Sequence, residues 1–324
     1  MRRALAWRLA CHTLLTLATL LAPRYATGAQ GQAARFAVSV TDTAWYDAQR
    51  NRSLPLKLRV PQGARDTPVI LFSHGLGGSR ESGEAWGNHW AALGYLVLHI
   101  QHPGSDSAAN AAAANSLQQY LVRIRDVHFI LDELARRKIA DDPLLAHADL
   151  TRIGMSGHSF GAQTTLAVSG MRLGETLENG VKPFDARLRA ALAFSPTAAG
   201  PESAESDYPR RFGAIRMPFM TVTGTEDGDS SSRGYAWENR QIPYQHMPAA
   251  GKYLLVLKGA DHWVYGGPPG MPRGVRAQDA AIIRWTQLAT TAFWDAHLRD
   301  DASARERLDV FADVLGMAGT FTQK

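Results

Sequence analysis

A short apolar run that passes into Gly-His-Ser-Phe-Gly is the feature that most constrains the fold of this chain. Residues 152–156 have the apolar character of a buried strand, and residues 162–166 favour a helix. Gly157 and Gly161 leave room for a turn that folds back tightly on both elements. Such a turn holds the hydroxyl of Ser159 at its tip, where a base can reach it. Taken alone, the pentapeptide also fits a turn that binds phosphate or only joins a strand to a helix.

Two further strand-then-turn patterns supply the partners that a serine nucleophile needs. Residues 217–223 lead into an acidic turn with Asp227, and residues 253–257 lead into a turn with His262. Turns that follow parallel strands lie at the same edge of a sheet, and this chain order is one of the known orders of a Ser–acid–His triad. We therefore predict that Ser159 is the nucleophile, His262 its base and Asp227 the acid that orients the base.

Each partner has an alternative. Glu226 and Asp229 compete with Asp227, because an acidic Gly-rich loop can be a solvated turn, and Asp229 is the second candidate for the acid. His262 could be a structural loop histidine, but it is the only histidine late in the chain that follows a predicted strand. His246 precedes that strand, and we interpret it as a surface or helix-end residue.

A serine nucleophile that hydrolyses an acyl bond forms a tetrahedral intermediate with a negatively charged oxygen. This oxygen requires N–H donors. The backbone N–H of Phe160, the residue after the nucleophile, is one predicted donor. The apolar run 69–73 followed by His-Gly-Leu-Gly-Gly predicts a second strand with a Gly-rich turn, and the N–H of Leu76 is the second predicted donor. The alternative is a glycine turn that takes no part in chemistry.

Six short segments form a pattern within residues 36–300. They are 50–56 (Arg-Asn-Arg-Ser-Leu-Pro-Leu), 72–77 (Phe-Ser-His-Gly-Leu-Gly), 101–105 (Gln-His-Pro-Gly-Ser), 157–161 (Gly-His-Ser-Phe-Gly), 223–227 (Thr-Gly-Thr-Glu-Asp) and 259–262 (Gly-Ala-Asp-His). With them the chain resembles the secreted type of platelet-activating-factor acetylhydrolases and, equally, their bacterial relatives that are often labelled predicted dienelactone hydrolases. True dienelactone hydrolases use a cysteine nucleophile, whereas residue 159 is serine, so that label does not indicate the substrate.

The resemblance implies an α/β-hydrolase fold, with a mostly parallel central sheet and helices on both faces. It also implies a serine carboxylic-ester hydrolase of short-to-medium acyl esters that uses Ser159, Asp227 and His262, with Leu76 and Phe160 as oxyanion donors and no cofactor. The same residues are compatible with a lipase or a cutinase-like polyester hydrolase. An amidase or peptidase, or a binding module that has lost catalysis, is a further alternative.

The first 29 residues predict a secretory signal peptide. The segment begins Met-Arg-Arg, an apolar run follows at 14–22 and Thr-Gly-Ala ends it, so we predict cleavage after Ala29 and a secreted or periplasmic protein. A membrane anchor is the alternative, but the run is about half of the ~20 residues needed to span a bilayer. A lipoprotein signal would use Cys11, and Arg8 stands where that signal needs an apolar residue.

Composition excludes several classes of function. The signal segment holds four arginines and no acid, so its removal lowers the formal net charge from +5 to +1, and no basic stripe with interleaved aromatics predicts nucleic-acid binding. The only cysteine lies in that segment, so the mature chain would have no thiol chemistry. We expect a small-molecule or lipid ester as the partner and no stable membrane span, and the oligomeric state is left open.

Strand and helix patterns alternate along residues 30–324 and predict one α/β domain. Apolar runs typical of strands buried on both faces of a parallel sheet lie at 69–73, 95–100, 152–156, 190–194, 219–223 and 253–257. Edge strands are predicted at 36–40 and 56–60, and helices at 117–136 and 278–298. Residues 105–116 are a loop over the site or the start of the first of these helices.

Aromatic residues on the loops after the predicted acid and histidine are candidates for the substrate pocket, because such loops line the crevice of an α/β sheet. They are Trp263, Tyr265 and Trp237, with Tyr235 beside them. Ordinary packing is the alternative for each.

Metal and nucleotide sites are disfavoured. His99 and His102 have the spacing of two ligands, but no Asp, Glu or Cys follows at ligand spacing. The glycines at 75–78 lack the helix-opening glycine and later acid of a dinucleotide-binding motif, and no P-loop is present. His128, on the apolar stripe of the 117–136 helix, is interpreted as a core histidine.

Overall fold

The computed structural model describes residues 34–103, 117–174, 182–198, 207–228, 236–267 and 273–324. Residues from Ala34 onward form one compact unit. The predicted signal peptide and the segment 105–116 lie outside the described residues, and the division into a signal peptide and one catalytic domain stays a prediction.

Within the described residues, nine strands form one sheet in the order β1-β2-β4-β3-β5-β6-β7-β8-β9. The strands are β1 Val38–Asp47, β2 Arg52–Pro61, β3 Thr67–Ser73, β4 Leu96–Ile100, β5 Ala148–His158, β6 Leu188–Phe194, β7 Phe219–Glu226, β8 Lys252–Asp261 and β9 Gly319–Gln323. Strands β3 to β8 are parallel to one another, whereas β1, β2 and β9 pair antiparallel at the two edges. The sheet is therefore mixed and mostly parallel, as predicted.

Nine α-helices of the described residues accompany the sheet. They are α1 Glu84–Ala92, α2 Leu117–Ile139, α3 Phe160–Val168, α4 Tyr208–Phe212, α5 Ile242–His246, α6 His262–Gly266, α7 Asp279–Leu298, α8 Ala302–Asp309 and α9 Phe311–Leu315. Short 3₁₀ helices lie at Pro143–Leu145, Trp237–Gln241 and Gly316–Ala318.

The sheet is buried on both faces. Val69 and Leu71 of β3 join a hydrophobic cluster that includes Ile124 of α2, whereas Ile70 and Phe72 join a second cluster with helices α1 and α7. Successive side chains of a strand point to opposite faces, so these two clusters are the two cores between sheet and helices. The α/β-hydrolase architecture predicted from the sequence is confirmed.

The order of the strands defines where a site can form. From β3 the chain passes to β4 on one side of it, and later to β5 on the other side. The carboxyl ends of two such strands border a crevice, which is the usual ligand site of open α/β sheets. The register pairs Ser73 with Gly157, so the turn after β3 lies beside the turn after β5.

The two long predicted helices are confirmed with small changes of boundary, since they extend over Leu117–Ile139 and Asp279–Leu298. The predictions for the edge strands were too short. Residues 38–47 and 52–61 form one antiparallel hairpin, whose turn includes Asn51 with a φ of 49°. Strand β9 was not predicted, because its sequence is polar and Phe321 is the only one of its residues that is buried.

Candidate active site

Ser159 lies at the turn between β5 and α3, in a backbone conformation that serine rarely adopts. Its φ and ψ are 54° and −114°. A Cβ atom on Gly161 would lie 1.9 Å from the carbonyl oxygen of Ser73, and one on Gly157 would lie 2.3 Å from that of Gly161. Both glycines are therefore required for the close approach of the turn to β3, and the strain at Ser159 is typical of an exposed nucleophile.

His262 connects Ser159 to Asp227 through its two ring nitrogens. Nε2 lies 2.9 Å from Ser159 Oγ, and Nδ1 lies 2.8 Å from Asp227 Oδ1. A carboxylate only accepts hydrogen bonds, so Nδ1 holds the proton and donates it to Asp227. Nε2 is then left as the acceptor of the serine hydroxyl, which is the tautomer that a general base requires.

Asp227 follows β7 and is completely buried. Its Oδ2 accepts a hydrogen bond of 2.7 Å from the hydroxyl of Thr223. The pairing of β7 with β8 shifts register between Gly224 and Glu226, just before Asp227 in the chain. Of the other two candidates, Glu226 pairs with Arg276 and is half exposed, and Asp229 lies outside the described residues.

Arg240 is a member of the site that no sequence pattern predicted. Its guanidinium is nearly buried, donates from Nε to the carbonyl oxygen of Asp227 at 3.1 Å and lies 3.4 Å from the Oδ1 of that residue. Nη1 donates to the carbonyl of Ser195, and Nη2 lies 3.3 Å from His262 Nδ1. Arg240 thus places a positive charge beside both the acid and the imidazole.

His158, the residue before the serine, supports the backbone of His262. Its Nε2 donates to the carbonyl oxygen of His262 at 2.9 Å, and the two rings lie 4.7 Å apart. Burial is the main cause that lowers the pKa of His158 well below 6.5. It therefore stays neutral and acts as a fixed donor to the loop that holds His262.

A cap and an ion pair hold His262 at the first turn of α6. Asp261 Oδ1 accepts a hydrogen bond of 3.0 Å from the amide of Val264, and Arg273 forms an ion pair with the same carboxylate. Burial acts to raise the pKa of Asp261, but the hydrogen bonds from Arg273 and Val264 outweigh it and hold the pKa below 3.8. The carboxylate is thus used to position the loop.

The Gly-rich turn after β3 packs against the serine. A Cβ atom on Gly75 would lie 3.4 Å from Ser159 Cβ and 3.1 Å from His158 Nδ1. The hydrogen bonds of the described residues include none donated by the amides of Leu76 or Phe160. The two amides predicted as oxyanion donors thus donate no hydrogen bond within the described part of the chain, and they lie on segments that meet at Ser159.

The three predicted pocket aromatics have different environments. Trp263 is 41% exposed and packs edge-on against His262. Trp237 is half-buried at the start of the 3₁₀ helix that contains Arg240. Tyr265 is completely buried, and its hydroxyl donates to the carbonyl of Thr223, so packing accounts for its position. Tyr235 lies outside the described residues.

The histidines weighed as metal ligands have other partners. His99 Nδ1 donates to the carbonyl of Ser82, while His102 contacts Ser73 and Asp126. Among the described residues, no group of three or more His, Cys, Asp or Glu side chains could hold a metal ion. His128 is half-buried and contacts the carbonyl of Pro183, which agrees with a structural role.

The mostly parallel sheet and the sharp turn at Ser159 are those of an α/β-hydrolase. Residues 30–130 match the family described as platelet-activating factor acetylhydrolase, isoform II, which confirms the resemblance inferred from the sequence. The fold is thus that of an α/β-hydrolase, and residues 30–130 are similar to platelet-activating-factor acetylhydrolases. The match covers strands β1 to β4 and the Gly-rich turn, and it ends before Ser159. No curated protein matches the chain.

Among the helices of the described residues, none combines the length and the apolar composition needed to cross a bilayer.

Proposed function

We propose that this chain is a serine carboxylic-ester hydrolase with Ser159 as nucleophile, His262 as general base and Asp227 as orienting acid. The observation that supports this assignment is the continuous hydrogen-bond chain from Ser159 Oγ through both nitrogens of His262 to a buried carboxylate. Each of the three residues follows a different strand. Ser159 lies 103 residues before His262 in the chain, and Asp227 lies 35 residues before it. Simple packing does not require this arrangement, whereas nucleophilic catalysis does.

The proposed reaction has two halves. In the first, Ser159 Oγ attacks the ester carbonyl while His262 Nε2 takes its proton, and the amides of Leu76 and Phe160 bind the oxyanion. His262 then gives this proton to the departing alcohol, which leaves an acyl-serine. In the second half, His262 takes a proton from water, the hydroxide attacks the acyl carbonyl, and the acid is released as Ser159 regains its proton.

The proposed substrates are short-to-medium acyl esters, either small molecules or lipids. Leu76, on the turn after β3, and Trp263, next to His262 in α6, are 40% and 41% exposed. Their apolar side chains suit an acyl or alkyl group next to the scissile bond. No cofactor takes part in this scheme.

Two measurements test the assignment. A fluorophosphonate should label Ser159 and no other serine, and Ser159→Ala should lower kcat by about 10⁴-fold or more while thermal unfolding is unchanged. Labelling at another residue, or near-normal turnover by Ser159→Ala, would refute it.

A rate series on p-nitrophenyl esters from acetate to palmitate tests the substrate class. We expect kcat/KM to be highest for short and medium chains. A maximum at palmitate would favour a lipase instead.

We also propose that the protein is exported to the periplasm or the medium after loss of residues 1–29. N-terminal sequencing of the exported protein should begin at Gln30. A mature protein that retains the apolar run 14–22 would contradict cleavage and favour an anchor.

A further inference from the structure

Arg123 of α2 is a buried cation that contacts both segments of the proposed oxyanion hole. It is 2% exposed. Its Nη1 donates to the carbonyl oxygen of His74 at 2.5 Å, and its Nη2 donates to that of Gly75 at 3.3 Å. The guanidinium also lies 4.3 Å from the ring centre of Phe160. One side chain thus holds the turn after β3 against the turn after β5.

The hydrogen bond from Arg123 to the Gly75 carbonyl affects the orientation of the Leu76 N–H. The carbonyl of Gly75 and the N–H of Leu76 belong to the same planar trans peptide, so they point in opposite directions. The Gly75 oxygen accepts from Arg123 and also from His74 Nδ1, at 2.7 Å. Two donors on the buried side therefore fix the peptide plane, direct the Leu76 N–H outward from the interior and polarise it.

A second layer of hydrogen bonds sets the tautomer of His74. The backbone N–H of His102 donates to His74 Nε2 at 3.1 Å, so Nε2 has no proton and Nδ1 must be the donor to Gly75. Burial, together with the charge of Arg123, lowers the pKa of His74 well below 6.5. The ring of His102 is held in turn by Asp126 and Ser73.

The charge of Arg123 is not cancelled by direct contact with a carboxylate. The ion pairs of the described residues include none for Arg123, because the nearby Asp126 binds Arg50, Arg52 and His102 instead. Burial lowers the pKa of Arg123 to about 9, against the opposing effect of Asp126, so the guanidinium is still charged at neutral pH. This positive charge lies directly behind the peptide that would face the oxyanion.

We propose that Arg123 is a positioning residue of the oxyanion hole. It orients and polarises the Gly75–Leu76 peptide and supports Phe160, so it stabilises the tetrahedral transition state without contacting the substrate. The inference rests on the proposed function. Loss of the Arg123 side chain should lower kcat, whereas KM should change little. The reason is that the hydrogen bond from the Leu76 amide is strongest when negative charge develops on the substrate oxygen in the transition state.

The test compares Arg123→Met with Arg123→Lys and with the control Arg59→Met. Arg59 is equally buried, and burial also lowers its pKa, but its Nε donates to Asn88 and not to the turn. Thermal unfolding and fluorophosphonate titration give the folded, active fraction of each variant. For that fraction, kcat and KM on p-nitrophenyl acetate are measured, together with Ki for a trifluoromethyl ketone, which forms an oxyanion on Ser159.

Removal of one oxyanion donor costs about 10²–10³ in kcat, and Arg123 acts through such a donor. We therefore expect Arg123→Met to lower kcat by about 10- to 100-fold, with KM within about threefold. The Ki of the ketone should rise by the same factor as kcat/KM falls. Arg123→Lys should recover part of the loss, and Arg59→Met should stay within about twofold of the wild-type kcat.

The inference is overturned if Arg123→Met and Arg59→Met have the same kcat, or if kcat falls while the Ki of the ketone is unchanged. If Arg123→Met does not fold, the same comparison of kcat/KM with Ki on Arg123→Lys decides the question. A wild-type protein that is not labelled at Ser159 would refute the proposed function itself, which separates the two failures.

Discussion

Replacement of Asp227 by alanine should do more than remove the acid that orients His262, because it leaves the Arg240 guanidinium beside the same imidazole. Arg240 Nη2 lies 3.3 Å from His262 Nδ1. Without the carboxylate, Nη2 can donate to Nδ1, and the ring proton then moves to Nε2, which faces Ser159. A ring protonated at Nε2 cannot accept the serine proton. Loss of the correct tautomer costs on the order of 10⁴ in kcat.

The uncancelled charge of Arg240 adds to this loss. Two unit charges about 4 Å apart repel by about 4 kcal/mol at an effective dielectric constant of about 20, and the imidazolium formed in the reaction would meet this repulsion. In the wild type the carboxylate of Asp227, 3.4 Å from Arg240 Nε, compensates it. Asp227→Ala should therefore lower kcat by at least 10⁴-fold.

A second substitution distinguishes this explanation from simple loss of the acid. We expect Asp227→Ala/Arg240→Gln to be faster than Asp227→Ala by about 10- to 100-fold, since both the competing donor and the charge are gone. Arg240→Gln alone should be slower than the wild type, because Arg240 also holds the backbone of Asp227. The assay is kcat on p-nitrophenyl acetate per titrated active site. A double variant as slow as Asp227→Ala would refute the reasoning.

Three further perturbations test the surroundings of the site. Gly161→Ala should abolish activity and destabilise the fold, because its Cβ would lie 1.9 Å from the carbonyl oxygen of Ser73; a variant with wild-type melting temperature and turnover would contradict the required close approach. Asp261→Asn should lower the free energy of unfolding by about 1–2 kcal/mol at pH 7, because the ion pair with Arg273 is lost. The folded-state pKa of Asp261 is below 3.8, so this difference, measured by urea unfolding, should be constant above about pH 5 and shrink as the pH falls below 3.8. Burial lowers the pKa of His102 to about 4, so the unfolded chain binds a proton that the folded protein does not between pH 6.5 and pH 4. The free energy of unfolding should therefore fall with decreasing pH in that window, by up to about 1.4 kcal/mol per pH unit for this histidine. Urea unfolding midpoints that do not change from pH 7 to pH 5 would show that His102 is not buried in its neutral form.

The parts of the fold that the sequence predicted well are those set by local chemistry. Apolar runs such as 69–73 must be buried on both faces, and the structure places them in the parallel centre of the sheet. The spacing of Gly157, Ser159 and Gly161 predicted the turn, since no other residue type fits its close approach to β3. Strands with a weaker pattern were predicted less well. The edge hairpin was found only in part and β9 not at all, because polar side chains alternate or dominate there.

The sequence by itself determined the parallel centre of the sheet, the sharp turn at Ser159, and Asp227 and His262 as the candidate partners of that serine. Only the tertiary structure showed which side chains surround them. Arg240, His158 and Arg123 have no distinctive sequence pattern, and each acts through backbone or side-chain atoms from distant parts of the chain. The physical reason is burial. A charged or polar group taken out of water must find partners wherever the packed fold provides them, and those partners are neighbours in space but not in sequence.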